Sequence, residues 1–258
     1  MDRTEQTPLP LCAWRLLRLA LHLLAGVATV ATVYPLIDVR RRLALKQRWS
    51  RQLLAILGVR LDAQMVGTVA GSLFVANHIS WLDIFALNAA HPLAFIAKAE
   101  VRQWPVIGWL AAKADTVFLL RGSRGHAKVV NAQIDALLDA ERDIALFPEG
   151  TTTDGTHLLG FHAALLQPAI SGGRPLQPVA ISYHEADGRR SLAPAYVGET
   201  TLLECLWAIV KRRQLIVRIR ATQVLPTAGG NRRELAHAAR AAIADRLDLP
   251  REAEALAA

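Results

Sequence analysis

Cysteine is nearly absent from this chain. Cys12 and Cys205 are its only two, too few and too far apart for a disulfide framework or a metal site, and a reducing compartment fits. Cys12 is not the attachment cysteine of a lipoprotein, because Leu11 precedes it and the apolar run follows it, the reverse of a signal peptide's order. Also missing are zinc-finger spacing, an aromatic-rich basic strand and a polar recognition helix, which argues against a nucleic-acid partner. There is no internal repeat, no low-complexity linker and no Gly-x-Ser-x-Gly nucleophile signature. Gly150 and Gly155 have the separation of a phosphate-binding loop, but Thr156-His157 stands where Lys and Ser or Thr are required, so ATP is not implied.

What is abundant is apolar surface and positive charge. More than half of the 258 residues are apolar, enough for one sizeable α/β core with an appendage. Lys and Arg number 30 against 22 Asp and Glu, which calls for a negatively charged partner. With nucleic acid set aside, anionic lipid remains. Leu19 to Ile37 is almost wholly apolar, interrupted by His22 and eased by Gly26, Thr29 and Thr32, and is long enough to span or half-embed in a bilayer. A buried core helix is the competing reading. Arg15 and Arg18 precede the run, while Arg40, Arg41, Arg42, Lys46, Arg48 and Arg51 follow it, and such charge favours the cytoplasmic side. No small-residue cleavage signature follows, so the segment is expected to be retained.

Beyond this basic junction, Val59 to Met65 alternates with period two, as a half-buried strand does. Short apolar runs then recur at Ser72 to Ala76, Leu93 to Ala97, Thr116 to Leu120, Asp143 to Phe147, Leu176 to Ser182 and Leu215 to Ala221, and these read as central strands. Helical spacing lies between them, at Val130, Ile134 and Leu137 and at Leu202, Cys205, Leu206, Ile209 and Val210. The start signal Asn231-Arg232-Arg233-Glu234 opens a last helix with Leu235, Ala239, Ile243 and Leu247 on one face. The expectation is an α/β fold with a mixed, mostly parallel central sheet flanked by helices. The division is 1–55 for an N-terminal membrane-associated helical segment with its basic junction, 56–250 for the α/β domain and 251–258 for a tail.

The polar residues with chemical potential fall just past predicted strands. In Asn77-His78-Ile79-Ser80-Trp81-Leu82-Asp83 an imidazole and a carboxylate stand five residues apart. Histidine removes protons near neutral pH, and a carboxylate on its other ring nitrogen would fix the tautomer. Helix capping by Ser80, with Asp83 as acidic partner, explains the same residues without catalysis. Phe147-Pro148-Glu149-Gly150-Thr151-Thr152-Thr153-Asp154-Gly155 offers a carboxylate, hydroxyls and flexible amides, or else a plain Pro-Gly turn. Arg121 could grip phosphate with two parallel bonds, and Lys98 is a second cation. In a mostly parallel sheet these strand ends gather on one edge.

In their order these blocks resemble the glycerolipid acyltransferases. Asn77 to Asp83 resembles the family's His-x4-Asp motif. Val117-Phe118-Leu119-Leu120-Arg121 resembles its second block, with Leu120 where an aspartate often precedes the arginine. Phe147 to Thr151 resembles the third and Leu176-Gln177-Pro178-Val179-Ala180 the fourth, so the likeness covers roughly Gly71 to Ser182. The resemblance implies acyl transfer from a thioester, on coenzyme A or acyl carrier protein, to the free hydroxyl of a lysolipid, with no metal or bound cofactor. It implies His78 as general base, Asp83 as its orienting partner, Arg121 on the acceptor's phosphate, and Glu149, Gly150 and Thr151 around its glycerol, with Lys98 assisting. Direct attack needs no acyl-enzyme, which leaves Ser80 a cap rather than a nucleophile. Lysophosphatidic acid is the first acceptor expected and lyso-ornithine lipid the alternative. A bacterial inner membrane, with the catalytic domain facing the cytoplasm, is the implied location. A non-catalytic lipid-binding protein is the reading from a different class. The patches Arg40 to Arg42, Lys211 to Arg213 and Arg218 with Arg220 are candidates for contact with anionic lipid.

Overall fold

The computed structural model describes residues 6–119 and 124–250. Strands β1 (Val59–Gln64), β2 (Leu73–Ala76), β3 (Ala94–Lys98), β4 (Val117–Leu119), β5 (Ile144–Leu146), β6 (Leu176–Glu185) and β7 (Leu215–Ala221) form one sheet in the order β1-β7-β6-β2-β5-β3-β4. All neighbours pair in parallel except β6 with β7, so the sheet is mixed and mostly parallel, as expected. β2 and β5 are buried at every position, which is why they read as unbroken apolar runs.

Eight α-helices cover the sheet among the described residues: α1 (Leu9–Thr32), α2 (Val39–Leu57), α3 (Leu82–Ala90), α4 (Ile107–Lys113), α5 (Arg124–Asp139), α6 (Gln167–Ser171), α7 (Leu202–Val210) and α8 (Arg232–Arg246). One apolar core lies between the sheet and α1, α2, α3 and α7, and includes Leu53, Leu57, Phe74, Leu82, Ile181, Tyr183 and Ile209. On the opposite face, α5, α6 and α8 pack on Leu73, Val75, Ile144 and Leu146. The last helix follows its sequence signal. Asn231 accepts from the Arg233 amide, and Leu235, Ala239, Ile243 and Leu247 are buried.

The N-terminal region departs from its sequence reading. The helix begins at Leu9 rather than Leu19 and ends at Thr32, with a 3₁₀ turn over Tyr34–Leu36. The reason is Arg15, which looks like a flanking charge but is only 9% exposed. Its guanidinium donates to the carbonyls of Val210 (3.1 Å), Arg212 (2.7 Å) and Arg213 (2.9 Å), capping the orphan acceptors at the end of α7. The same guanidinium lies against Gly58, the left-handed residue (φ 77°) that ends α2, where a Cβ would stand 2.4 Å from the nearest nitrogen. Midway along α1, His22 and Trp49 of α2 stack at 4.6 Å. The Trp49 indole donates to the His22 carbonyl (3.2 Å), and Gly26 leaves room for the indole. Helix α1 therefore lies along the body, touching α2, α4 and α7, yet its outer side is bare. Leu9–Leu36 is long and apolar enough to cross a membrane, and only 6% of its most apolar window is buried.

Members of two of the basic patches also have partners within the protein. Arg220 donates to the Asp62 carboxylate at 2.7 Å and Arg218 approaches it at 3.8 Å, so this pair is tied to β1. Lys211 sits over the Trp207 ring at 5.1 Å and Arg212 lies 3.5 Å from Glu185.

Candidate active site

β2, β3 and β5 run parallel, so the segments that follow them emerge on one sheet edge, the edge the strand-end argument anticipated. Just past β2, the Asn77 side chain replaces a strand residue. Its Nδ2 donates to the Ile181 carbonyl (3.0 Å) and its Oδ1 accepts from the Ile181 amide (2.8 Å). The loop so begun is pinned again by the amides of Thr153, which donates to the His78 carbonyl (2.8 Å), and of Tyr196, which donates to the Ile79 carbonyl (3.0 Å).

Within this frame His78 Nδ1 stands 2.9 Å from Asp83 Oδ2. Asp83 is fully buried and can only accept when ionised, so the ring carries its proton on Nδ1 and its Nε2 lone pair has no partner among the described residues. The ring is 19% exposed and stacks on Phe147 at 3.9 Å with 10° between planes, which fixes its second rotation. Asp83 Oδ2 also accepts from the amides of Ile79 (2.7 Å) and Ser80 (2.9 Å). Holding the start of α3 and orienting the imidazole are thus the same carboxylate doing two things. Trp81 rather than Ser80 is the N-cap residue of α3; Ser80 stands one residue earlier, its Oγ accepting from the Leu82 amide at 3.3 Å, and it is buried rather than presented as a nucleophile.

One residue of the site escapes the sequence reading. Tyr183 on β6 donates its hydroxyl to Asp83 Oδ1 at 2.7 Å, 100 residues away in the chain. Burial first, and then the charge of Asp83, push the Tyr183 phenol well above its ordinary range, so it stays a donor. The available signal was the period of two that places Val179, Ile181 and Tyr183 on one face of β6, with Ile181 bonded to Asn77 of the motif. Tyr183→Phe should lower kcat about tenfold with KM little changed, because a hydrogen bond to a charged group contributes about 1.5–3 kcal/mol and the phenol is buried against Asp83. A rise in KM with kcat intact would contradict that assignment.

Glu149, 4% exposed, binds the protein's own backbone. Oε1 accepts from the His78 amide and Oε2 from the Leu159 amide, each at 2.9 Å, so the carboxylate clasps the histidine loop to the segment beyond the third block. Burial raises its pKa, against the lowering effect of these two amides. Gly150 takes the left-handed conformation (φ 71°) that the turn after Pro148 requires, and Thr151 is exposed beside it. Gln at position 149 must turn an NH₂ toward one of two amide donors. Glu149→Gln should therefore destabilise the fold by about 1–3 kcal/mol, read as a lower melting temperature than wild type. Lys98 ends β3 in register with Leu119 and is exposed at the same edge, while Arg121 lies outside the described residues.

The family described as Acyltransferase matches residues 62–182. Over 241 residues the chain is 39% identical to the lyso-ornithine lipid O-acyltransferase of Pseudomonas aeruginosa, covering 89% of this chain and 92% of that protein. It is 37% identical over 209 residues to the 1-acyl-sn-glycerol-3-phosphate acyltransferase of Neisseria meningitidis serogroup B, covering 77% and 80%. The crystal structure of the 1-acyl-sn-glycerophosphate acyltransferase of Thermotoga maritima superposes with a TM-score of 0.71 at 19% identity, over 93% of this chain and 94% of that one, which is a likeness of fold.

Proposed function

Since the chain belongs to the acyltransferase family, we propose that it moves a fatty acyl chain from an acyl thioester to the free hydroxyl of lysophosphatidic acid, giving phosphatidic acid. The observation that carries the reading is the His78–Asp83 pair, with Nε2 left free at the sheet edge. In the proposed step Nε2 takes the hydroxyl proton as the oxygen attacks the thioester carbonyl. The tetrahedral intermediate then expels the thiolate, and the imidazolium returns the proton to that sulfur. Asp83 stabilises the imidazolium in between. Arg121 would hold the acceptor's phosphate and Lys98 assist it, while Gly150 and Thr151 would border its glycerol beside the clasp of Glu149. The donor is acyl-coenzyme A or acyl carrier protein.

Lyso-ornithine lipid is the second acceptor, favoured by the greater identity and coverage with the Pseudomonas aeruginosa relative. A single experiment separates the two. Purified protein in detergent is given labelled acyl-coenzyme A with either acceptor, wild type beside Arg121→Ala. Phosphatidic acid from wild type, with KM for lysophosphatidic acid raised at least about tenfold in the variant, supports the first acceptor. Product from lyso-ornithine lipid alone, little altered by loss of Arg121, moves the reading to the second. Free fatty acid with no acylated lipid would contradict both.

The bare side of α1 supports membrane association, and its attachment along the body favours a helix lying along one leaflet over one projecting through it. We assign the enzyme to the cytoplasmic face of a bacterial inner membrane, in keeping with the basic residues that follow α1.

A further inference from the structure

Large apolar side chains exposed on this protein are not scattered. Apart from Val66, Val69, Val129 and Leu192, every one among the described residues lies on the α1 hairpin up to Val39, on the segment Trp104–Trp109, or on α7. The last two segments both touch α1, the first through α4. Resting on the membrane reading of α1, we infer that Trp104–Trp109 and the outer side of α7 enter the same phospholipid leaflet, so that three elements dock the enzyme in one plane.

Trp104-Pro105-Val106-Ile107-Gly108-Trp109 is built to point outward. The Ile107 amide donates to the Pro105 carbonyl at 2.6 Å around Val106 at φ 64° and ψ −51°, a γ-turn that is strained for any residue and more so for a β-branched one. Such strain persists only where the surroundings enforce it. Here Gly108 enforces it, since its backbone packs so closely on the preceding 3₁₀ turn (Ala99–Gln103) that a Cβ would lie 2.2 Å from the Arg102 carbonyl oxygen. The result is a knuckle with Val106 54% and Trp104 53% exposed. On α7, Leu203 is 76% exposed and Trp207 carries Lys211 over its ring.

Chemistry selects the occupant. Both patches combine indole rings with cations close by in the chain, Lys113 and Arg102 (whose guanidinium lies over the Phe118 ring) for the knuckle and Lys211 for α7, which is the composition of a surface sitting at anionic headgroups. The elements that carry both patches touch α1, whose bare apolar length needs the same solvent. The opposite face of the sheet, under α8, carries no such patch among the described residues.

The test uses the full chain with one added cysteine at a time, the native thiols being buried. Nitroxide labels at Leu24→Cys on α1, Val106→Cys, Leu203→Cys and Ala238→Cys on α8 are compared on vesicles of phosphatidylethanolamine and phosphatidylglycerol, reading collision with oxygen against collision with a water-soluble nickel chelate. Lipid-like access at 24, 106 and 203 with water-like access at 238 is the expected result. Water-like access at 106 or 203 while 24 is in lipid overturns the single docking plane and leaves the anchoring by α1 standing. Water-like access at 24 as well overturns the membrane reading itself. As a second readout, Val106→Asp with Ile107→Asp should weaken partition into these vesicles about tenfold while sparing turnover of lysolipid dispersed in detergent. Equal loss in both would point to damage of the fold and overturn the assignment.

Discussion

His78→Ala should reduce acyl transfer by about a thousandfold or more, with the protein still folded. General base catalysis alone contributes roughly 10²–10⁴ in rate, and among the described residues around the ring no second base stands in reserve. Asp83 is buried behind the ring with its oxygens occupied, Glu149 is bonded to two amides, and Tyr183 is held as a donor. The residual rate should be that of reactants held together without proton removal, since positioning survives the loss of the imidazole. The measurement is the initial rate of labelled product at saturating acceptor, beside a melting curve that shows a cooperative transition. The ring also packs on Phe147, so a small loss of stability is expected and does not bear on the mechanism. A rate within tenfold of wild type would sink the base assignment.

Asp83→Asn should cost nearly as much activity, about 10²–10⁴ in kcat, together with about 1–3 kcal/mol of stability. Four donors converge on this carboxylate: the His78 ring, the Ile79 and Ser80 amides and the Tyr183 hydroxyl. An amide oxygen can take the place of Oδ2, but the NH₂ must then face Tyr183, which can accept only by turning its own proton into apolar surroundings. The negative charge that stabilises the imidazolium is gone in either orientation. Asp83→Ala, leaving all four donors without an acceptor in a fully buried spot, should lower the melting temperature further than Asn does. Equal activity in wild type and Asp83→Asn would mean that the carboxylate is only a helix cap.

Much of this was legible from residue order because the central strands are parallel and buried on both faces, leaving apolar runs with polar residues just beyond them. His78 and Asp83 were visible for the further reason that their contact is local, across one loop and the first turn of α3. Contacts between distant segments were not. Tyr183 reaches Asp83 only once β2 and β6 are paired in their observed register, and Glu149 serves backbone amides, which carry no side-chain signature. Arg15 was misread for a related reason, since a charge that flanks an apolar run and a charge that caps a distant helix are the same letter. The antiparallel pairing of β6 with β7 left no trace in composition either, because β7 is as apolar along its first half as a parallel strand would be.

The crowd of donors around Asp83 also decides where a proton can travel. Three hydrogens already point at Oδ2 and one at Oδ1, and the phenol behind them holds its own proton, so among the described residues no wire leads from the imidazole through Asp83 into the interior. On the proposed mechanism, whatever proton His78 borrows it would give back at the same ring nitrogen. The site would then reset itself with each departing thiol, with no buried relay needed to carry charge away.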